Sequence, residues 1–226
     1  MKSIGEALLL PLIRLKLLWF NIIEELTVHR YFYKNSLFKQ VDVSLKHLYF
    51  GQNPYIICKD FMQSCKQNQV HVYGETPLTE IYSLLMQAGL QKEDCFIDLG
   101  CGRGRNVFFA STLFGCKTIG IDIVPIFCDK AQKLASSLPN PPKFLCEDMS
   151  TADLSEGTIL YFYALCLEED LFLSMITKLA SLKVGTKIIT VSFPLSDYSK
   201  KFSTLFSKQV SYPWGKTELF INTKIT

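Results

Sequence analysis

Three glycines at alternate positions follow a short apolar run in residues 95–106, which read Cys-Phe-Ile-Asp-Leu-Gly-Cys-Gly-Arg-Gly-Arg-Asn. The apolar run, with Asp98 near its end, predicts a buried parallel strand, and the residues after the glycines predict a helix. Because glycine tolerates positive φ and carries no Cβ, such a turn brings bare backbone against a ligand. The unpaired N–H groups at the helix start then favour a polar ligand group, although packing alone also explains tight glycine turns.

A second acid, Asp122, ends the apolar run Lys117–Asp122, about twenty residues after the glycines. In nucleotide-binding sheets an acid at this distance binds the ribose hydroxyls. The glycines do not match the dinucleotide fingerprint, which places its third glycine one residue further on. We therefore expect a ribose-containing ligand other than a dinucleotide.

The pattern Asp98-x-Gly100-x-Gly102-x-Gly104 resembles the first motif of the class I, seven-strand, S-adenosylmethionine-dependent methyltransferases. The resemblance covers roughly residues 72–223 and is most specific at this motif and at Asp122. It implies S-adenosylmethionine as cofactor, with Asp148 facing the adenine amino group and Tyr163 beside the transferable methyl. The cofactor-binding set that it implies is Thr76, Asp98, Gly100, Cys101, Gly102, Gly104, Asn106, Asp122, Ile123, Asp148, Met149 and Tyr163.

Short apolar runs alternate with helical patterns along residues 95–194, which predicts an α/β fold with a mostly parallel, twisted sheet covered on both faces. We expect strands at 95–99, 117–122, 143–146, 158–163 and 187–194. Residues 205–212 and 217–222 predict the C-terminal antiparallel hairpin that completes seven strands in this methyltransferase fold. A helix capped by Thr76, with Pro77 in its first turn, is expected to end at Gly89. The ligand of such a sheet binds at the carboxyl ends of the strands.

The segment Tyr73-Gly74-Glu75-Thr76, with the following helix and Asp98-Leu99-Gly100, is similar to the non-SET histone lysine methyltransferases of the telomeric-silencing type. This resemblance implies that Tyr163 lines a lysine channel, and that Tyr73 or Glu75 closes it. Glu75 would hold the amino group of the cofactor or accept a proton from the substrate. Residues 192–194, Ser-Phe-Pro, also resemble mitochondrial and bacterial seven-strand protein lysine methyltransferases. The structural alternative is that Thr76 only caps a helix and Glu75 is only solvated.

Residues 1–70 are expected to form a mainly helical, aromatic-rich segment that covers the methyltransferase domain or docks its substrate, and residues 71–226 the domain itself. Apolar residues at spacings of three and four predict an amphipathic helix. They are Leu12, Leu15, Trp19, Ile22, Ile23 and Leu26. Pro11, Arg14 and Lys16 interrupt the leucine-rich start, so we expect neither a membrane span nor a secretory signal. The helix packs over the domain, docks a substrate or second copy, or rests on a membrane through residues 7–26.

Composition narrows the classes of function. With 226 residues, 48% of them hydrophobic, the chain can bury one core with an appended segment. The net charge of +3 comes entirely from the first fifty residues, so the domain has no footprint for nucleic acid. Eight cysteines without a Cys-x-x-Cys pair, and three scattered histidines, favour reduced thiols in the cytoplasm and no metal site.

We therefore expect an S-adenosylmethionine-dependent methyltransferase acting on a protein, with lysine favoured. Its sulfonium methyl is already activated, so in-line attack needs a held donor and exclusion of water more than a catalytic base. The sequence at 161–165, Tyr-Phe-Tyr-Ala-Leu, lacks the Asn/Asp-Pro-Pro-Tyr/Phe signature of many enzymes that methylate nucleic acids and glutamine. The alternatives are a small-molecule methyltransferase and an inactive, cofactor-binding regulatory protein. The sequence leaves the oligomeric state open.

Overall fold

The computed structural model describes residues 4–65, 73–164, 167–213 and 215–226, and for residues 4–10 the backbone alone. The predicted boundary between residues 70 and 71, His71 and Cys166 lie outside the described residues. Seven strands are found in the described part of the chain: β1 (Cys95–Leu99), β2 (Lys117–Asp122), β3 (Lys143–Cys146), β4 (Ile159–Phe162), β5 (Lys187–Val191), β6 (Phe202–Tyr212) and β7 (Gly215–Lys224).

The strands form one sheet in the order β3-β2-β1-β4-β5-β7-β6. The first five are parallel, β7 is antiparallel to β5, and β6 pairs antiparallel with β7. The predicted seven-strand sheet with a terminal hairpin is thus confirmed. The predicted fifth strand is too long, because Ser192 adopts a φ of 72° and turns the chain out of the extended conformation.

Helices cover both faces of the sheet and continue into the N-terminal segment. In the described residues they are α1 (Ile4–Thr27), α2 (Ser36–Leu48), α3 (Pro54–Ser64), α4 (Leu78–Ala88), α5 (Arg105–Phe114), α6 (Pro125–Ala135) and α7 (Glu169–Leu179). A π-helical turn, Val28–Phe32, joins α1 to the loop before α2. On one face α4 and α5 bury residues such as Leu84 and Phe109, and on the other α7 buries Met175 and Leu179. The helical N-terminal segment is confirmed.

Helix α4 ends at Gly89, which has a φ of 72°, as predicted, but it begins one residue later than expected. Pro77 occupies the N-cap position, and the hydroxyl of Thr76 is hydrogen-bonded to the hydroxyl of Tyr161 instead. The predicted Thr76 cap is therefore wrong. Glu24 of α1 takes the place of a cap, because its carboxylate accepts bonds from the Thr79 N–H at 3.1 Å and the Thr79 hydroxyl at 2.6 Å.

A buried ionic cluster ties the N-terminal helices to the start of α5. Asp42 of α2 is fully buried and accepts hydrogen bonds from Arg105 Nε at 2.7 Å and Arg105 Nη2 at 3.0 Å. Tyr33 donates to the same carboxylate at 2.7 Å, and Lys46 lies 3.1 Å from it and 2.6 Å from Glu25. Burial alone would raise the pKa of Asp42, but Arg105 and the other donors lower it to about 2. Arg105 directly follows the third glycine, so this cluster fixes the end of the glycine loop.

The apolar stripe predicted on α1 faces away from the domain. Its six members, and Leu18 beside them, are between 39% and 64% exposed. The opposite side of α1 makes the contacts: Phe20 meets Tyr212 of β6 edge to face at 5.8 Å, and Glu24 and Glu25 reach α4, α2 and α5. The helix thus packs on the domain through its less apolar side.

Candidate active site

A cleft opens at the carboxyl ends of β1, β2 and β4 and holds almost the whole predicted set of site residues. The three catalytic candidates, Tyr73, Glu75 and Tyr163, all line it. The predicted cofactor-binding residues that line it are Thr76, Asp98, Gly100, Cys101, Gly102, Asn106, Asp122, Ile123, Asp148, Met149 and Tyr163. The topology therefore assembles these residues from the glycine loop, the 73–76 loop and the ends of three further strands.

The three glycines of the loop all have positive φ but differ in their neighbours. A Cβ on Gly100 would lie 3.7 Å from the Met149 side chain inside the cleft, which is an ordinary contact. A Cβ on Gly102 would come within 2.8 Å of the Tyr73 ring. At Gly104 it would overlap the ring of Phe144, and Gly104 does not line the cleft. Positive φ and packing against Phe144 both require glycine at 104, and the predicted contact of Gly104 with the cofactor stays a prediction.

Asp98 presents a buried, unpaired acceptor to the cleft. Its Oδ2 atom has no hydrogen-bond partner among the described residues, and the side chain is only 2% exposed. Burial raises its pKa to about 7. A hydrogen bond from Asn106 lowers this pKa, whereas the negative charge of Asp122 raises it further. A buried carboxylate oxygen without a partner is costly, and a cationic ligand group would relieve that cost.

Asp122 lies at the end of β2, with both carboxylate oxygens facing backbone N–H groups. Oδ2 accepts from Gly102 at 2.7 Å, and Oδ1 accepts from Val124 at 2.9 Å. Burial raises its pKa, and these backbone bonds oppose that rise. A carboxylate has about four lone-pair sites, so Asp122 can hold the glycine loop and still accept from ribose hydroxyls.

The corner after β3 holds the residues expected near adenine. Asp148 is exposed and accepts a hydrogen bond from the Ser150 N–H at 2.8 Å, which shapes the turn. The carbonyl of Met149 accepts from Lys178 of α7 at 2.9 Å, so the turn is also fixed from the opposite side. The contact of Asp148 with adenine stays a prediction.

The 73–76 loop is fastened to the glycine loop by a bidentate ion pair. Arg103 donates from Nε to Glu75 Oε1 at 2.6 Å and from Nη2 to Oε2 at 2.7 Å, and the Tyr73 hydroxyl donates to the same carboxylate. Burial would raise the pKa of Glu75, but Arg103 and Tyr73 lower it overall. Burial, reinforced by the charge of Glu75, raises the pKa of Tyr73. Glu75 is thus an ionised, fully engaged side chain, which suits it to closing the cleft better than to accepting a proton.

Two residues of the cleft that sequence reasoning missed are Tyr161 and Arg105. Tyr161 is buried at the end of β4 and bonds Thr76, and burial raises the pKa of its hydroxyl. Side chains two positions apart on a strand share a face. Tyr161 could therefore have been predicted from the choice of Tyr163. Arg105 carried no local signal, because its partner Asp42 lies 63 positions earlier in the chain.

Comparison with known families decides what kind of cleft this is. A family model described as "Histone methylation protein DOT1" matches residues 59–211, which is more than half of the chain. The chain belongs to the DOT1 family. The DOT1 match includes the glycine loop, the ends of the first five strands and part of the hairpin, but excludes α1 and α2.

Two similar relatives of this DOT1-family chain are histone-lysine N-methyltransferases described as specific for H3 lysine 79. The one from Dictyostelium discoideum is 24% identical over 180 residues, 73% of this chain and 9% of the relative. The one from Caenorhabditis elegans is 27% identical over 148 residues, 58% of this chain and 16% of the relative. The chain therefore spans less than a fifth of the length of these relatives.

Solved structures with this fold include an RNA methyltransferase from Salinibacter ruber in complex with S-adenosyl-L-homocysteine. It is 26% identical with a TM-score of 0.55, and the match covers 67% of this chain and 94% of that one. A magnesium protoporphyrin IX methyltransferase from Synechocystis with bound S-adenosylmethionine shares the fold at a TM-score of 0.56 and 17% identity, over 76% and 97% of the chains. The predicted class I methyltransferase fold is confirmed.

The cofactor of this DOT1-family cleft is S-adenosylmethionine, as the sequence predicted. The residues present fit that molecule. The unpaired oxygen of Asp98 suits its ammonium group, the remaining acceptor sites of Asp122 suit ribose hydroxyls, and Gly100 leaves space where a side chain would intrude.

Proposed function

We propose that this chain transfers a methyl group from S-adenosylmethionine to a lysine side chain of a protein. The observation that carries the proposal is a second cavity that meets the cofactor cleft. Gly74, Glu75, Thr76, Arg105 and Tyr163 line both spaces. A side chain entering the second cavity would reach the cofactor at this junction.

The second cavity, here called the acceptor groove, lies between α1, the 73–76 loop and the β6–β7 hairpin. Its aromatic walls are Phe20, Tyr55, Tyr163 and Tyr212. Aromatic faces suit the long aliphatic stem of lysine and attract its ammonium group. The same groove contains Ser192, the only non-glycine residue with positive φ among those described, and such backbone strain concentrates at functional sites.

The division of the chain at about residue 70 is part of this proposal. Helix α1 contributes Leu17, Phe20, Asn21 and Glu24 to the groove, and α2 and α3 contribute Lys46 and Tyr55. The N-terminal segment would therefore form one wall of the groove and exclude water from it. A reducing, cytoplasmic setting is also part of the proposal, and it is supported by the cysteines at 65, 95, 101, 116, 128 and 146, which form no disulfide.

The chemistry leaves the protein mainly with positioning. When bound, S-adenosylmethionine supplies a methyl group already activated by its sulfonium, so a neutral lysine amine can attack it in line. A lysine amine has a reference pKa of about 10.4, and transfer into a desolvated groove favours its neutral form. Burial raises the pKa of Tyr161 and Tyr212, so their hydroxyls stay protonated at neutral pH and serve as hydrogen-bonding groups.

The test is methyl transfer from isotopically labelled S-adenosylmethionine, with core histones and the proteins of a cell lysate as acceptors, followed by mass spectrometry. We expect label on lysine amines of protein. Tyr163→Ala should lower transfer about tenfold or more and weaken the binding of S-adenosylhomocysteine by a smaller factor, because the tyrosine lines both the acceptor groove and the cofactor cleft. Tyr198→Ala is the matched control, since this tyrosine is exposed and lies in neither cavity.

The alternatives give different results in the same assay. Label that appears only in a dialysable compound, and survives protease treatment of the lysate, would make the chain a small-molecule methyltransferase. Tight binding of S-adenosylhomocysteine with no labelled acceptor in any fraction would make it a regulatory cofactor-binding protein. Either result would overturn the proposed lysine transfer.

A further inference from the structure

The outward face of α1 is a continuous apolar surface that no described residue covers. Between residues 11 and 27 the apolar residues that are exposed are Pro11, Leu12, Leu15, Leu18, Trp19, Ile22, Ile23 and Leu26. At 3.6 residues per turn these positions occupy about 140° of the helix circumference. Soluble proteins rarely leave an apolar face of this kind open to water, so it marks an interaction surface.

The orientation of α1 is fixed by its opposite side. Glu24 is bound to Thr79, Glu25 lies 2.6 Å from Lys46 and 3.4 Å from Arg105, and Phe20 packs on Tyr212. Turning the apolar face inward would break all of these contacts. The amphipathic helix therefore packs with Glu24 and Glu25 toward the domain and with its apolar face toward solvent.

Charge along the rims of this face selects the partner. Lys16 borders the face on one side and Arg14 on the other, and both are exposed without an ion pair among the described residues. At the end of α1 the exposed Tyr31 has Arg30 and Lys34 near its ring, at 5.7 and 5.9 Å. The two acids in this part of α1, Glu24 and Glu25, are held in the contacts described above. A second copy packed on the same face would offer these cations no free acid of α1, because Glu24 and Glu25 are already bound, whereas an anionic surface neutralises them.

We propose that α1 lies in the plane of an anionic lipid bilayer surface, with its apolar face among the headgroups and acyl chains. Leucine, isoleucine and tryptophan on one face with cations at its rims are the pattern of an interfacial helix. None of the described helices is long and apolar enough to cross a bilayer. The proposed contact lies at the bilayer surface, and it is independent of the methyl acceptor.

The test is flotation of the full chain with vesicles of phosphatidylcholine alone, or with phosphatidylserine as about a third of the lipid. We expect flotation with the anionic vesicles, weaker binding to neutral ones, and release by salt. Leu15→Glu and Lys16→Glu should each reduce partitioning about tenfold or more. The controls Leu173→Glu and Lys183→Glu make the same changes at exposed positions on or beyond α7 and should leave partitioning unchanged.

Folding and insertion are followed separately. All four substitutions lie at exposed positions, so the thermal midpoints should stay close to that of the unchanged chain. Trp19→Phe should still float, but should lose most of the blue shift in tryptophan emission that vesicles cause, because it removes the inserted indole. Failure to float with anionic vesicles would overturn the proposal. Sedimentation without lipid then distinguishes a dimer from a monomer. A dimer that Leu15→Glu dissociates would assign the apolar face to a second copy of the chain.

Discussion

Glu24 of α1 accepts hydrogen bonds from both the backbone N–H and the hydroxyl of Thr79, across 55 positions of sequence. It satisfies a free N–H in the first turn of α4 and places a negative charge at the positive end of that helix. We expect Glu24→Ala to lower the free energy of unfolding by about 1–2 kcal/mol, measured by urea denaturation. Glu93→Ala removes an exposed glutamate and should change it by less than about 0.5 kcal/mol. Equal effects of the two would show that the cap contributes nothing.

Asp42 should make the fold sensitive to acid. Its folded pKa of about 2 lies below the unfolded value, so its stabilising effect is complete above about pH 4 and is lost as the pH falls through 2. Asp42→Asn removes the carboxylate that accepts both short bonds from Arg105 and leaves the half-exposed Glu25, at 3.4 Å, as its nearest counter-charge, so we expect a loss of about 3 kcal/mol at neutral pH. Chemical denaturation between pH 2 and pH 7 should show the gap to the unchanged chain closing at the acid end. Asp60→Asn, at an exposed position, should change the free energy of unfolding at pH 7 by less than about 0.5 kcal/mol.

Asp98 should make cofactor binding depend on pH near neutrality. Its pKa of about 7 means that the carboxylate is largely protonated below that pH, and only the ionised form pairs with an ammonium group. Calorimetric titration with S-adenosylhomocysteine should show affinity falling about tenfold per pH unit below pH 7. Asp98→Asn should bind weakly at every pH, whereas Asp129→Asn on α6 should follow the unchanged chain. A pH-independent affinity for the unchanged chain would remove Asp98 from ammonium binding.

The same substitution should have the opposite effect on stability. A carboxyl whose folded pKa is raised destabilises the fold in its ionised form, fully above about pH 7 and not at all below about pH 4. Asp98→Asn removes that buried charge, so its free energy of unfolding at pH 8 should exceed that of the ligand-free, unchanged chain. Thermal denaturation at pH 8 and pH 4 measures the difference. A variant that is less stable at pH 8 would mean that Asp98 serves structure rather than binding.

The glycines of the loop should separate into two functional types when each is replaced by alanine. All have positive φ, so each alanine costs about 1–2 kcal/mol of backbone strain. Gly104→Ala adds overlap with Phe144 and should cost about 1–3 kcal/mol more in unfolding free energy. Gly100→Ala meets only an ordinary contact, so its main effect should be weaker binding of S-adenosylhomocysteine. A larger loss of unfolding free energy for Gly100→Ala than for Gly104→Ala, with weaker cofactor binding mainly in Gly104→Ala, would contradict the assignment of Gly100 to the cleft.

Arg103 and Glu75 should act as one unit in retaining the cofactor. Arg103→Lys keeps the charge but loses the two parallel bonds, so we expect S-adenosylhomocysteine to dissociate about tenfold faster in a stopped-flow measurement. Combining it with Glu75→Gln should add little to either single effect, because both break the same pair. Additive rates in the double variant would show that the two residues work separately.

Sequence patterns predicted the strands of the sheet, but they did not predict the contacts between segments that lie far apart in the chain. Strands β1, β2 and β3 fall at the expected residues, and α4 ends at Gly89 as expected, because local apolar runs and glycine conformations determine these elements. By contrast, the even spacing of the loop glycines does not distinguish Gly100 from Gly104. The difference comes from Phe144, forty positions after Gly104, whose ring a Cβ on Gly104 would overlap.

The orientation of α1 shows a second kind of limit. Periodicity identified Leu12, Trp19 and the rest of the stripe, but a period specifies which residues share a face and not which face meets the domain. That choice depends on Glu24 and Glu25, whose partners lie on α4, α2 and α5. The ion pair of Glu75 with Arg103 escaped prediction for the same reason, since neither residue signals the other locally.

The two backbone N–H groups on Asp122 have a consequence for how tightly the cleft can bind. A free carboxylate loses rotational entropy when a ligand orders it, and that loss weakens binding. Because Gly102 and Val124 hold both oxygens of Asp122 in the ligand-free chain, this side chain gives up its freedom when the protein folds. The ribose hydroxyls would therefore meet an acceptor that is already oriented, and more of their hydrogen-bond energy would appear as affinity.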